Sequence, residues 1–267
     1  MIYRVFLLLA CLFCPLFAEE FESFVKYKVG YGIFTLGEAE AYLKIYDNGS
    51  YKTEVSAKAK GLASTLSGSR VEKYASSGLV VENMLIPYHF EKISSHGSTK
   101  RHIEYFWDYE NAQILMERER CKDGGCEYSS EILSDDKYAS NDILTLYHNI
   151  MFDLNKTGAK EINASAIGSK KPVVIMIPEG KWLKTAKKTF DDKEGIYLVV
   201  ILNQEIFTSD EGELYANIDS DNTASKAVLK KTMLFGDVWG EQIEKKITGK
   251  RTANSANKTA NESEKQP

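Results

Sequence analysis

The chain has 267 residues, is 43% hydrophobic and 27% charged, and carries a formal net charge of −4. Those proportions suit an ordinary globular protein, and the acidic balance argues against a nucleic-acid partner or a general attraction to anionic membranes. Beyond its first residues no run is apolar enough to cross a bilayer, so no integral membrane segment is expected.

Residues 1–18 come first in the chain and read as a secretory signal. Met1–Arg4 carries one positive charge, Val5–Phe17 is almost wholly apolar, and Ala18 precedes Glu19 and Glu20. That order predicts export, with cleavage after Ala18. A competing lipoprotein reading uses Leu8-Leu9-Ala10-Cys11 and would leave a lipidated Cys11. Its apolar core is only about six residues, short for a signal, so the expected mature start is Glu19. The mature chain then divides into one β-rich domain, 19–247, and a polar tail, 248–267.

From Phe24 onward the hydrophobic period is two. Ala39, Ala41, Leu43 and Ile45 alternate with charged or tyrosine neighbours, Asp47-Asn48-Gly49-Ser50 is a hairpin turn, and Tyr51, Thr53, Val55, Ala57 and Ala59 resume the alternation. One face is buried and the other wet, as in an antiparallel meander. Further runs cover Arg70–Tyr74, Val80–Ile86, Lys100–Asp108, Ala112–Cys121, Pro172–Ile177, Gly195–Phe207, Glu213–Asp219, Ala227–Phe235 and Trp239–Ile247. So many strands joined by short turns predict an all-β, mainly antiparallel fold: a closed or nearly closed barrel, or curled sheet, with few free edges.

One helix is expected to interrupt the strands and to lie buried against them. Ser140 or Asn141 caps it, Asp142 complements its positive end, and Ile143, Tyr147, Ile150 and Leu154 recur at helical spacing. The lysines Lys181, Lys184, Lys187 and Lys188 read as a solvated strand face. The tail from Thr248 has no apolar residue larger than alanine beyond its opening and is expected to stay disordered.

Cys121 and Cys126 enclose Lys122-Asp123-Gly124-Gly125. In an exported protein this predicts a disulfide across a hairpin, whereas a zinc site needs about four ligands and no second pair is spaced for it. No metal site or cofactor is expected. The chain lacks a nucleophile elbow, a phosphate loop and a dinucleotide fingerprint, so no catalytic residue is assigned. The histidines His89, His96 and His102 lie on successive strands or their turn, without the spacing of a ligand pair. Asn155 and Asn163 each follow an acid by two residues within Asn-X-Ser/Thr. That pattern resembles the extended acceptor of bacterial N-glycosylation, against which chance is the competing account.

Three stretches together carry a family resemblance: Tyr27-Lys28-Val29-Gly30-Tyr31-Gly32-Ile33 with Gly37-Glu38-Ala39; Asp142-Ile143-Leu144-Thr145-Leu146-Tyr147; and Ile206 through Asp210-Glu211 to Met233-Leu234-Phe235-Gly236-Asp237-Val238-Trp239. In order and spacing they resemble a family of exported Gram-negative proteins known only as domain of unknown function 3108. The resemblance implies a periplasmic β-rich fold and no reaction. This chain departs from the family pattern at Asp210-Glu211, where an Asp-Asp pair is usual, and in lacking a proline in the last hairpin.

Two functions from different classes follow as expectations. The protein is either a non-enzymatic carrier of a lipid or other apolar small molecule, or an envelope structural or assembly factor acting through contacts with an envelope protein. For the carrier, the ligand is expected between the helix and the small alanines of the sheet, near Tyr105, Trp107, Tyr147 and Met151. The competing account is a filled core in which the same side chains pack one another.

Overall fold

The computed structural model describes residues 20–66, 69–168, 172–202, 212–232, 236–249 and 251. The signal with its alternative Cys11, the Asp210-Glu211 pair, Met233–Phe235 and the tail from residue 252 lie outside the described residues.

The strands form two meanders. The first comprises β1 (Phe21–Tyr31), β2 (Phe34–Ile45), β3 (Ser50–Ala59), β4 (Val71–Val81), β5 (Met84–His96), β6 (Thr99–Asp108), β7 (Gln113–Lys122) and β8 (Gly125–Ile132). The second comprises β9 (Glu161–Ala164), β10 (Val173–Met176), β11 (Ile196–Leu202), β12 (Gly212–Ile218), β13 (Ala224–Thr232) and β14 (Gly236–Thr248). First and last strands pair antiparallel, Val25 opposite Lys245 and Gly30 opposite Trp239, joining the meanders into one 14-stranded sheet. The sheet does not close, because β8 and β9 remain its two ends. It curls instead.

What it curls around is the helix α2 (Ile143–Thr157); the shorter α1 (Gly61–Leu66) precedes it in the chain. Leu146, Ile150, Met151 and Leu154 pack on Val173, Ile175, Leu198, Val200 and Ile218 of the second meander. Leu144 packs with Phe90, Trp107 and Ile114 of the first. Each such side chain contributes about 1.5–3 kcal/mol on burial, so the helix is the surface against which both halves bury their inner faces.

Polar ties fix its position. Asp142, not Ser140 or Asn141, is the cap: its Oδ1 accepts from the amides of Leu144 and Thr145, and Thr145 completes the capping box. Its Oδ2 accepts from the Ser76 hydroxyl at 2.7 Å, and Ser76 pairs with Tyr51. Asn149 binds the Leu85 backbone through both halves of its amide, at 2.8 and 2.9 Å. His148 bonds Thr53, and Tyr147 accepts from the Ala224 amide. Gly158, at φ 62°, ends the helix in the left-handed conformation a glycine adopts without strain.

A helix also stands where the lysine-rich stretch suggested a strand face. In α3 (Gly180–Thr189) the lysines 181, 184, 187 and 188 are exposed, while Ala186 and then Phe190 are buried with Val199, Tyr215 and Val228. The second meander is covered on both faces, by α2 within and α3 without, so the Tyr197–Ile201 run of β11 is continuously apolar. The Val80–Ile86 run divides between two strands at Glu82 and Asn83, whose φ values of 49° and 70° make a tight hairpin turn. At β1 and β14, Trp239 lies over Gly30, where a Cβ would stand 2.1 Å from the indole ring. Glycine and tryptophan there are two halves of one contact.

Cys121 and Cys126 are direct cross-strand partners with Cα atoms 4.1 Å apart, a geometry that permits a disulfide. The turn between them, Asp123-Gly124, has positive φ at both positions. The acceptor asparagines lie in regular structure: Asn155 in the last turns of α2 and Asn163 exposed on β9.

Because Asp142 is fully buried and holds the helix start to the sheet, Asp142→Ala is expected to cost about 2–4 kcal/mol, from a lost cap and an orphaned Ser76. Asp142→Asn keeps a cap acceptor and should cost less than half as much. Urea denaturation of the two variants measures the difference; equal losses would remove the cap from its structural role.

Candidate functional site

The face of α2 carrying Tyr147, His148 and Phe152 reaches the sheet through polar contacts of Tyr147 and His148 and is not packed flat against it. It faces a cavity of about 310 Å³ at the seam between β1 and β14. The seam leaves space because the residues opposite are small: Ser23 on β1 and Ala41 on β2. Phe21, Val25, Leu43, Phe152 and Ile247 supply apolar walls. The turn between β12 and β13, with Asp221, Asn222 and Thr223, forms a polar rim. At the other side stands Arg251, just beyond β14.

Arg251 is the distinctive group. Its Nη1 donates to the His148 carbonyl at 3.0 Å and its Nη2 to the Asn83 carbonyl at 2.7 Å. The guanidinium lies 4.0 Å over the Phe152 ring, within cation–π range. Its Nε is buried without a hydrogen-bond partner, and no carboxylate pairs with it among the described residues. Burial lowers its pKa to about 10, which leaves it cationic at neutral pH.

The remaining polar groups are held neutral or internally compensated. The Thr53 hydroxyl donates to the Tyr42 carbonyl, so the His148 Nε2 it also meets at 3.0 Å must be the protonated nitrogen. Burial, reinforced by Arg251, pushes the His148 pKa down to about 3. Tyr27 and Tyr147 are hydrogen-bonded to one another, and burial raises both well above the ordinary tyrosine range. Lys245 spans Asp219 at 2.8 Å and Asp221 at 2.6 Å, neutralising one of the rim's two negative charges. This set can solvate an anionic or accepting head group beside an apolar wall. It presents no group ready to take a proton at neutral pH.

Of the four bulky residues singled out by sequence, only Tyr147 borders the cavity, and of the small alanines Ala41 does. Met151 points into the core of the second meander. Tyr105 and Trp107 face inward but pack elsewhere: Trp107 donates to the Ala139 carbonyl at 2.7 Å, and Tyr105 lies beside Phe90. Phe106 points to the outer face. Arg251, His148 and Phe152 were not foreseen. Arg251 sits in a segment whose composition argued for disorder, and the one available signal was a lone arginine following the last apolar strand. A second concavity, of about 300 Å³, lies at the far ends of β4–β7 among Arg70, Glu72, Arg101 and Arg120, without an apolar wall.

The buried His148 makes stability pH-dependent. Its pKa is depressed on folding, so the unfolded chain binds the proton first, and stability falls as pH drops below about 6.5 towards 3. Between pH 7 and pH 5 the expected loss from this group is about 2 kcal/mol. His148→Gln should remove that part of the slope, read as the difference between urea midpoints at the two pH values. Parallel slopes in the two proteins would contradict a buried neutral imidazole.

No functionally curated protein matches this sequence. The fold is similar to the crystal structure of a beta-barrel-like protein of domain of unknown function DUF1849 from Brucella abortus. That similarity has a TM-score of 0.50 at 8% identity over 86% of this chain and 98% of the other. At such low identity the likeness concerns architecture alone. The sequence match is to a different family and spans the first meander: residues 26–134, from β1 to just past β8, match the family described as protein of unknown function, DUF3108.

Proposed function

We propose that this is an exported, periplasmic, non-enzymatic binding protein whose cavity takes the apolar chain of a small amphiphile, with an anionic or hydrogen-bond-accepting head on Arg251. The observation that carries this reading is a buried guanidinium with an unpartnered Nε beside an apolar-walled cavity. A buried charge without a counter-charge is costly, and an anionic ligand supplies one. The volume of about 310 Å³ lies at the small end of ligand pockets, ~300–1,000 Å³, so it favours one short chain over a multi-chain lipid.

A second reading, an envelope structural or assembly factor acting through protein contacts, draws on the sheet's free end. Strand β8 is exposed throughout, with Tyr128 at 75% and Ile132 at 61% exposure, and an unpaired edge can accept a partner strand. Native mass spectrometry of protein purified from its own periplasm separates the two. A copurifying small molecule supports the carrier, and a stoichiometric protein supports the assembly factor.

The carrier predicts that a dansyl-labelled dodecanoate binds with its fluorescence enhanced. Ala41→Leu fills the space and should abolish binding while the fold survives. Arg251→Gln should weaken the acid about tenfold to a hundredfold, the worth of a charge-assisted hydrogen bond, and leave the matching alcohol unaffected. If the wild type ignores the probe and Ala41→Leu costs about 1–3 kcal/mol by overpacking, the cavity is part of the core and the carrier reading fails.

Export carries its own expectations. The intact mass of the protein from its native host should correspond to a chain beginning at Glu19, without acyl groups, with Cys121 and Cys126 oxidised to each other. In a host with an oligosaccharyltransferase it should also carry glycan at Asn155 and Asn163. A mass for lipidated Cys11, free thiols on non-reducing mapping, or bare polypeptide from such a host would overturn the corresponding part.

A further inference from the structure

We propose that Glu91, His102 and Glu104 form a binding site for a divalent d-block cation, zinc being the probe, on the outer face of the sheet. Strand alternation puts Phe90, Tyr105 and Trp107 inward, towards α2, and their neighbours Glu91, Glu104 and Phe106 outward. The site is therefore on the side of the sheet opposite the cavity and independent of it.

Geometry brings the three ligand atoms together. The His102 Nε2 lies 2.8 Å from Glu91 Oε1 and 3.8 Å from Glu104 Oε2, and one donor atom from each residue falls within 4.8 Å of the others. A tetrahedral zinc with ligands at ~2.1 Å holds a nitrogen and an oxygen about 3.4 Å apart. The two observed separations straddle that value, so shifts of about half an ångström seat the ion. All three side chains are about one-quarter exposed, which leaves a fourth position open to water.

The surroundings favour a cation independently of those distances. Glu91, Glu104 and Glu117 stand directly opposite one another on β5, β6 and β7, in one row across the sheet. Like charges so placed repel. Lys52 and Lys73, on the same face, pair with Glu54. A bound cation removes the repulsion. His89 completes the arrangement from the side: its Nε2 lies 2.9 Å from Glu104 Oε1, and its ring stacks on Phe106 at 4.7 Å. It orients the carboxylate whose other oxygen meets the metal, as an outer-shell partner does. One imidazole and two carboxylates, with no thiolate, suit zinc or a neighbouring d-block ion, whereas calcium and magnesium favour oxygen ligands alone.

The test uses the full chain, stripped with a chelator, oxidised at Cys121–Cys126 and dialysed against zinc chloride. Bound metal is counted by atomic absorption and affinity measured by competition with a fluorescent chelator. The wild type should hold a single zinc and melt at higher temperature with it. His102→Gln should abolish both effects, and His89→Gln should weaken binding about 10–100-fold. Glu127→Gln, an exposed carboxylate on β8, should change nothing. Glu91→Gln, which removes one of the opposed charges, is the second variant should His102→Gln not fold, and it too should abolish binding. A wild type that takes up no zinc overturns the proposal, as does binding that survives both variants. Zinc uptake that appears only after Cys121 and Cys126 are reduced also overturns it, by moving the ion to the cysteine pair beside Glu119.

Discussion

A broad antiparallel sheet has an inner face that must be buried against something, and here the burden falls on α2. The first meander cannot cover itself, and the second reaches it only through β1 and β14. Apolar contact with both halves supplies the energy, but apolar contact alone lets a helix slide or rotate. Position comes from the polar groups set among those contacts: a carboxylate on a hydroxyl, a side-chain amide standing in for a peptide on Leu85, an imidazole on Thr53. Each is directional, and each leaves a buried donor or acceptor stranded if the helix shifts. The helix is thus locked in rotation as well as in depth.

The cavity follows from that lock. With the apolar stripe of α2 committed to the two cores, the remaining face meets the seam of β1 and β14 through Tyr147 and leaves space beside that contact. Ser23 and Ala41 cannot span the gap. Because the helix does not relax into it, the space persists, and Arg251, just beyond β14, lies over Phe152 at its side. A cation so placed remains charged since two carbonyls and a ring take the place of water, and its Nε is left for something else.

The hairpins were legible from sequence because their period of two, their Asn-Gly or Asp-Gly turns and their buried faces agree with one another. Trp239 and Gly30 lie far apart in the chain, and only the pairing of β1 with β14 brings them together. Other elements were hidden for physical reasons. In α3 the apolar residues Trp182, Ala186 and Phe190 follow helical spacing, but the helix is short, follows Pro178 closely, and its lysines outnumber its apolar positions. At α2 the cap was misplaced by one or two residues because Ser140, Asn141 and Asp142 all suit the position, and only Ser76 and Tyr51, distant in sequence, select among them. Tyr105 and Trp107 were placed at the site because they are aromatic and face inward; which inward space they fill depends on the path of residues 133–142, where Ala139 accepts the Trp107 proton. The meeting of His89 with Glu104, and of His102 with Glu91, needed the register of β5 and β6, which sequence leaves open by whole two-residue steps.

The pairing of β1 with β14 carries a consequence for how the chain acquires its structure. The two strands at the middle of the sheet are the first and the last to be made, so the contact with the greatest separation along the chain is also the one that unites the halves. A chain delivered from its N-terminus can form its early hairpins one by one, but β1 keeps a bare edge, and Gly30 an uncovered backbone, until Trp239 arrives. Such topology is slow to complete. The seam that walls the cavity is therefore the last part of the sheet to exist.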